Sequence, residues 1–190
     1  MSKWKNTESW NRGQVVEEDF SKLLDKRNIS WRKATRQQQF NHIDYTTSIG
    51  SIDVKAKKRI SRSDSNEQSD FVWLEFKNVQ GKKGWMCCST DIIAFEREDD
   101  FVLFRRHQLL EWAMNKCDIE NLVSNSRDAL YKGYTRRGRN DLISIVKMKD
   151  IEIGQTMKNG SMVCSTMKIK NFDNEGNIIE GLYEIPNGED

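Results

Sequence analysis

The chain has 190 residues, of which 36% are hydrophobic and 32% are charged, and its formal net charge is +2. This length suits one compact domain or one domain with an appendage. The small net charge excludes a protein whose overall field attracts nucleic acid, so any basic surface must be local. No apolar run approaches the length of a membrane span, and the first residues lack a signal-peptide core. The sequence therefore predicts a cytoplasmic protein with no membrane partner.

The predicted elements begin with a helix over residues 14–27, whose apolar residues recur at helical spacing. A hairpin follows over residues 42–55, and residues 61–70, which include no apolar side chain, are predicted to form a loop. Further patterns predict strands over residues 71–79, 91–95, 101–104 and 142–148, a helix over 107–116 and a terminal hairpin over 162–185. This order predicts an α+β (α/β) fold with a central mixed β-sheet flanked by helices.

The predicted hairpin brings two aspartates and a lysine together. Its two strands alternate apolar or β-branched residues with polar ones, on either side of a turn around Ile49. Folding the strands about this turn places Asp44 opposite Asp53 or Val54, within one residue of register. Asp53 and Lys55 are two residues apart and point to one face of the strand. Two neighbouring carboxylates repel unless a cation lies between them, and a divalent metal ion is the usual solution.

These residue types suit the metal-dependent hydrolysis of a phosphodiester. Asp44 and Asp53 are the predicted ligands of Mg²⁺ or Mn²⁺, together with the backbone carbonyl of Val54, because a hard cation prefers oxygen. The metal would polarise the phosphate and lower the pKa of the attacking water. Lys55 would orient this water and stabilise the developing charge. Glu17, at the edge of the first helix's apolar stripe, is the candidate for an additional oxygen ligand or for holding a metal-bound water.

Asp44, followed nine residues later by Asp53-Val54-Lys55, resembles the signature of the PD-(D/E)xK nuclease superfamily. The preceding helix, with Glu17, resembles the helix that often carries an extra metal-linked glutamate in that family. The resemblance implies a restriction-endonuclease-like core of a helix, three or four strands, a helix and a further strand, which residues 14–116 follow. It also implies a Mg²⁺-dependent endodeoxyribonuclease of phage or junction-resolvase type, and family members commonly form homodimers. The sequence departs from the signature in having Ile43 where proline often precedes the first aspartate.

The predicted organisation is thus a nuclease-like core domain over residues 1–150 and a β-rich C-terminal extension over residues 151–190. A second reading of the signature stays open, because Glu75-Phe76-Lys77 also has the acid-any-lysine pattern. In that reading Asp53, Glu75 and Lys77 form the active triad. The hairpin reading is preferred, because local strand pairing alone brings Asp44 and Asp53 together. Both readings require Asp53.

Two basic segments are candidates for contact with the nucleic-acid backbone, because their cations can neutralise phosphates. One follows the hairpin and the other is rich in tyrosine and glycine; the candidates are Lys57, Lys58, Arg59, Arg136, Arg137 and Arg139. Since little of the chain remains to read bases, branched or structured DNA is favoured over a long sequence as the partner. Two rival functions stay open: a nucleic-acid-binding protein without catalysis, and a protein-interaction module.

Overall fold

The computed structural model describes residues 8–151 and 164–168 of the chain. Three α-helices lie wholly within these ranges, α1 (Glu8–Lys26), α2 (Arg36–Phe40) and α3 (Arg106–Lys116), and residues 148–151 are also helical. The strands are β1 (Trp31–Lys33), β2 (Tyr45–Thr47), β3 (Gly50–Lys55), β4 (Phe71–Lys77), β5 (Ile92–Glu96), β6 (Asp100–Arg105), β7 (Asp118–Val123), β8 (Lys132–Tyr134), β9 (Leu142–Lys147) and β10 (Cys164–Lys168). None of the helices in these ranges is long and apolar enough to cross a membrane.

The strands form two sheets, and the fold is α+β with mixed strand directions. The first sheet has the order β1-β2-β3-β5-β6-β10, in which β3 and β5 are parallel and the other neighbours are antiparallel. The second sheet has the order β4-β9-β8-β7, in which only β7 and β8 are parallel. The chain therefore leaves the first sheet after β3, builds β4 in the second sheet and returns to form β5.

The first sheet is the middle layer of the structure. One of its faces packs on α1 through a buried cluster: Val16, Phe20, Leu23, Leu24, Tyr45, Ile52, Val54, Ile92, Ala94, Phe101 and Leu103. The opposite face packs on α3 and on the second sheet, through residues that include Ile93, Phe95, Val102, Phe104, Leu74, Phe76, Leu109 and Val146. Because successive strand residues point to opposite faces, β5 and β6 contribute to both clusters. This explains why both strands are almost entirely apolar.

Most predicted elements are confirmed. The helix predicted over residues 14–27 overlaps α1, which begins earlier at Glu8 and ends at Lys26. The hairpin, the strands and the helix predicted over residues 107–116, which is α3, occur close to their predicted bounds. Glu75 lies on β4 of the second sheet and not beside β3, whose neighbours are β2 and β5. Apolar alternation identifies β4 as a strand but carries no information about its sheet. Of the predicted terminal hairpin, only Cys164–Lys168 is described, as the strand β10 beside β6.

Candidate metal centre

The β2–β3 hairpin sets the register of the two aspartates. The paired register ends at Tyr45 and Ile52, and Asp44 is the residue just before it, next to Asp53 and Val54. The backbone N–H of Asp44 donates to the carbonyl of Ile52 at 2.9 Å, and Asp44 Oδ2 accepts from the backbone N–H of Val54 at 2.8 Å. Since the N–H and C=O of one strand residue point to the same edge, the Val54 carbonyl also faces the side of Asp44.

Asp53 is a buried carboxylate with one oxygen in use. Its side chain points away from α1, because its neighbours Ile52 and Val54 pack on that helix. Lys55 Nζ donates to Asp53 Oδ1 at 2.6 Å, which confirms that these two residues share a face. Asp53 is 2% exposed, and its Oδ2 accepts no hydrogen bond from any residue of the described ranges. An unsatisfied buried carboxylate oxygen is costly and is a natural position for a cation.

The charge states around Asp53 are set by burial and by close neighbours. Burial raises the pKa of Asp53 to about 7, and the negative charge of Asp44 adds to this effect while Lys55 opposes it. Burial also lowers the pKa of Lys55, but the charges of Asp53, Asp44 and Glu75 outweigh burial and leave its pKa raised. Lys55 therefore stays protonated, and its Nζ lies 5.2 Å from the centre of the Trp85 ring.

Glu17 approaches the hairpin from α1, on the other side of the first sheet from Asp53. Its carboxylate is held by Lys33 Nζ at 3.2 Å and by Gln14 Nε2 at 3.1 Å. Burial raises the pKa of Glu17, and the charge of Asp44 raises it further, so the two acids are electrostatically coupled. The structure thus brings Glu17 into the electrostatic environment of the hairpin but gives its carboxylate other partners.

Two residues near the hairpin were not among the predicted site residues of the preferred reading. His42 is half-buried, and burial and the charge of Lys55 lower its pKa while Asp44 raises it. Glu75 reaches the site from the second sheet, where burial raises its pKa and Lys55 lowers it. For His42, the one local indication that it lies near the site was its position two residues before Asp44. The acid-any-lysine pattern singled out Glu75 in the alternative triad, but its approach from a second sheet depends on how the sheets pack.

The alternative triad of Asp53, Glu75 and Lys77 is not brought together. A register shift interrupts β4 between Glu75 and Lys77. Lys77 is exposed, and within residues 8–151 it forms no ion pair with either acid. The hairpin reading has its lysine in direct contact with Asp53, and it is the reading that the geometry favours.

The six basic candidates fall into different environments. Lys57 Nζ pairs with Glu98 at 2.9 Å, and Arg136 pairs with the buried Asp141. The others are the exposed Lys58, Arg137 and Arg139, and the half-buried Arg59. The charges of Lys58 and Arg136 both lower the pKa of Glu75, so each of the two basic segments acts on this acid of the second sheet.

The donor set of the hairpin is small. Within residues 8–151 and 164–168, no group of three or more His, Cys, Asp or Glu side chains is arranged to hold a metal. The hairpin offers two carboxylates and one backbone carbonyl, with one buried oxygen of Asp53 unused. This set fits Mg²⁺, which is commonly held by one or two carboxylates and completes its shell with water and substrate phosphate.

Comparisons with protein-family profiles, with curated proteins and with solved structures found no match to this chain. The functional argument therefore rests on the site itself.

Proposed function

We propose that this protein is a metal-dependent deoxyribonuclease of the PD-(D/E)xK type, with a restriction-endonuclease-like core and Mg²⁺ or Mn²⁺ as cofactor. The observation that carries the proposal is the buried, unsatisfied Oδ2 of Asp53, which lies beside Asp44 and Lys55 on one hairpin. Support also comes from the order of elements, in which α1 packs on the hairpin and a strand parallel to β3 follows.

In this proposal Asp44, Asp53 and the Val54 carbonyl would hold the cation. The cation would polarise the phosphate and lower the pKa of the attacking water. The Val54 N–H fixes the Asp44 carboxylate through its 2.8 Å hydrogen bond. Lys55 keeps its charge and stands within hydrogen-bonding distance of Asp53, where it can orient a water and stabilise negative charge on the phosphate. Burial of these groups in low dielectric strengthens each of these interactions.

The experiment measures cleavage of linear, circular and branched DNA with Mg²⁺, Mn²⁺ or Ca²⁺, in the wild type and in Asp53→Asn, Lys55→Ala and Lys77→Ala. We expect cleavage with Mg²⁺ or Mn²⁺, a loss of about 10²-fold or more in Asp53→Asn and Lys55→Ala, and little change in Lys77→Ala. Lys77→Ala is the matched control, because it removes an exposed lysine of the second sheet. Full activity of Asp53→Asn would refute the assignment, and loss only in Lys77→Ala would favour the alternative triad.

A second candidate function is DNA binding without cleavage. It is favoured by the observation that, in the described part of the chain, no third carboxylate converges with Asp44 and Asp53 as a preformed ion cage. This candidate predicts a salt-dependent mobility shift of DNA in EDTA and no product with any metal. The same set of reactions separates the two functions.

A further inference from the structure

Two aromatic side chains lie together on the second sheet, outside the hydrophobic clusters. The ring centroids of Trp73 in β4 and Tyr134 in β8 are 5.9 Å apart, and the ring planes meet at 39°. Val72 and Leu74, on either side of Trp73, pack in the cluster between the sheets, so the Trp73 side chain points to the opposite face of β4. We call Trp73 and Tyr134 the aromatic platform. Both are half-buried, and in the described part of the chain neither belongs to a buried cluster.

The platform borders a pocket that includes the lysine of the proposed metal centre. Trp73 lines this pocket together with Phe71 of the same strand, and with Lys55 and Lys58 from β3 and the segment after it. Trp73 Nε1 donates to the carbonyl of Arg59 at 3.2 Å, and this hydrogen bond fixes the ring against that segment. A flat ligand that stacks on the Trp73 ring would therefore lie at the edge of the pocket that Lys55 shares.

Most of the charged groups that line the pocket already have a partner of opposite charge. These ion pairs are Lys55–Asp53, Lys57–Glu98 and Glu96–Arg12. Lys58 differs, because it is exposed and no carboxylate of the described ranges lies within 4.0 Å of its ammonium. The pocket therefore offers aromatic surface and one ammonium, which suits a ligand that has both a flat ring and a negative charge better than it suits a simple anion.

We propose that the aromatic platform stacks unpaired bases of a DNA strand, so that the protein prefers DNA with a single-stranded segment next to the hairpin site. The proposal rests on the function proposed above, because it takes the bound strand to continue from the platform toward Lys55. Every base has a π face, so stacking on Trp and Tyr tolerates any sequence. The Lys58 ammonium suits a phosphate of the same strand.

The stacking of unpaired bases makes the platform selective for the form of the DNA. In an intact duplex the bases stack on one another, and exposing one of them to a protein ring costs the energy of unpairing and unstacking. A single strand, a flap or a branch point has bases that are free of this cost. The platform therefore distinguishes these forms from a blunt duplex, whereas contacts to phosphates alone would bind all of them.

The test is binding of three fluorescein-labelled DNA ligands in EDTA, followed by anisotropy at several salt concentrations. The ligands are a short single strand, the blunt duplex of the same length, and a single strand in which abasic sites replace the bases. The variants are Trp73→Leu, Trp73→Phe and Tyr134→Leu. Trp10→Leu is the matched control, because Trp10 is a 46% exposed tryptophan of α1 that does not line the pocket. Thermal melting checks that each variant is folded.

We expect the dissociation constant for the single strand to rise about tenfold in Trp73→Leu and about threefold or more in Tyr134→Leu, because each loses a stacking ring. Trp73→Phe keeps an aromatic face and should keep most of the affinity. The slope of the salt dependence should stay the same, because no charge is removed. Binding of the duplex, and binding of either ligand by Trp10→Leu, should change by less than about twofold. Equal losses for single strand and duplex would overturn the proposal.

The abasic strand tests the platform in the unmodified protein, since it keeps every phosphate and lacks the rings. The wild type should bind it about tenfold more weakly than the intact strand, and Trp73→Leu should bind the two almost equally. Equal affinity of the wild type for both strands would show that phosphates alone account for binding and would refute the platform. These measurements use no metal and no turnover, so the platform can fail while cleavage by the wild type stands, and the reverse also holds.

Discussion

At the scale of single residues, the central feature is the carboxylate of Asp53. It lies on a central strand, where one oxygen accepts from Lys55 and the other is buried and accepts no hydrogen bond within the described part of the chain, with the acid Asp44 close by. Soluble proteins rarely keep an acid in such a place unless function requires it. The free-energy cost of burying the ionised carboxylate should appear in the pH dependence of stability.

We predict that Asp53→Asn changes how stability depends on pH. Because the pKa of Asp53 is about 7 in the folded state and near 4 in the unfolded chain, the folded state binds more protons between these values. The contribution of Asp53 is therefore fully present at low pH and is lost as the pH rises through 7. The free energy of unfolding of the wild type, relative to Asp53→Asn, should fall by on the order of 2 kcal/mol between pH 5 and pH 8.

Urea unfolding in EDTA at these two pH values measures this difference. The variant lacks the titrating group of Asp53 and has every other ionisable group of the wild type. The difference between the two free energies of unfolding therefore isolates the titration of Asp53 and its coupled neighbours. If the difference in free energy of unfolding stays constant or rises between pH 5 and pH 8, Asp53 is ionised over this whole range. Another interaction must then offset the cost of its burial.

At the scale of elements, the contact between β4 and the short 3-10 turn Trp85–Cys87 supports the site. Gly84 precedes the turn, and its N–H donates to the carbonyl of Phe76 at 2.9 Å. A Cβ on Gly84 would collide with the backbone carbonyl of Glu75 and lie 2.8 Å from the Cγ of the same residue. The close approach places the Trp85 ring under Lys55.

We predict that Gly84→Ala destabilises the protein by about 1–3 kcal/mol, because backbone atoms of β4 cannot move aside without disturbing the sheet. Gly13→Ala is the matched control. Gly13 lies in α1 with nothing within 4 Å of its added Cβ, so this change should be neutral or stabilising by up to about 1 kcal/mol. Chemical denaturation of both variants makes the comparison, and equal stability of the two would contradict the steric argument.

The sequence predicted the elements well because its signals are local. The apolar spacing of α1 and the alternation in β2 and β3 depend only on neighbouring residues, and the register of β2 with β3 follows from the turn. The sequence did not predict which sheet β4 belongs to. Its residues alternate as they would in any half-buried strand, while its partner β9 is more than 60 residues away.

At the scale of the whole molecule, the first sheet separates two environments. The face toward α1 has the hydrophobic cluster and, at its margin, Glu17. The opposite face has Asp53 and Lys55, and it is covered in part by the second sheet, which adds Glu75. A metal ion held by the hairpin would therefore bind where the two sheets meet, and its binding would stabilise the folded protein as a whole.

We predict that Mn²⁺ raises the melting temperature of the wild type and that Asp53→Asn abolishes the rise. A ligand that binds only the folded state stabilises it by RT ln(1 + [L]/Kd), so at a hundredfold excess over Kd the shift should be about 5 °C or more. Differential scanning calorimetry in EDTA and with excess Mn²⁺ measures it. An equal rise in both proteins would place the ion elsewhere.

The sequence by itself determined the hairpin, the approach of Asp44 to Asp53, and the shared face of Asp53 and Lys55, because backbone geometry over a dozen residues fixes all three. Only the tertiary structure decided that Asp53 is buried and that Glu75 approaches from a second sheet. These features depend on which strands pair and how the two sheets pack. Such contacts join residues far apart in the chain, and no local pattern encodes them.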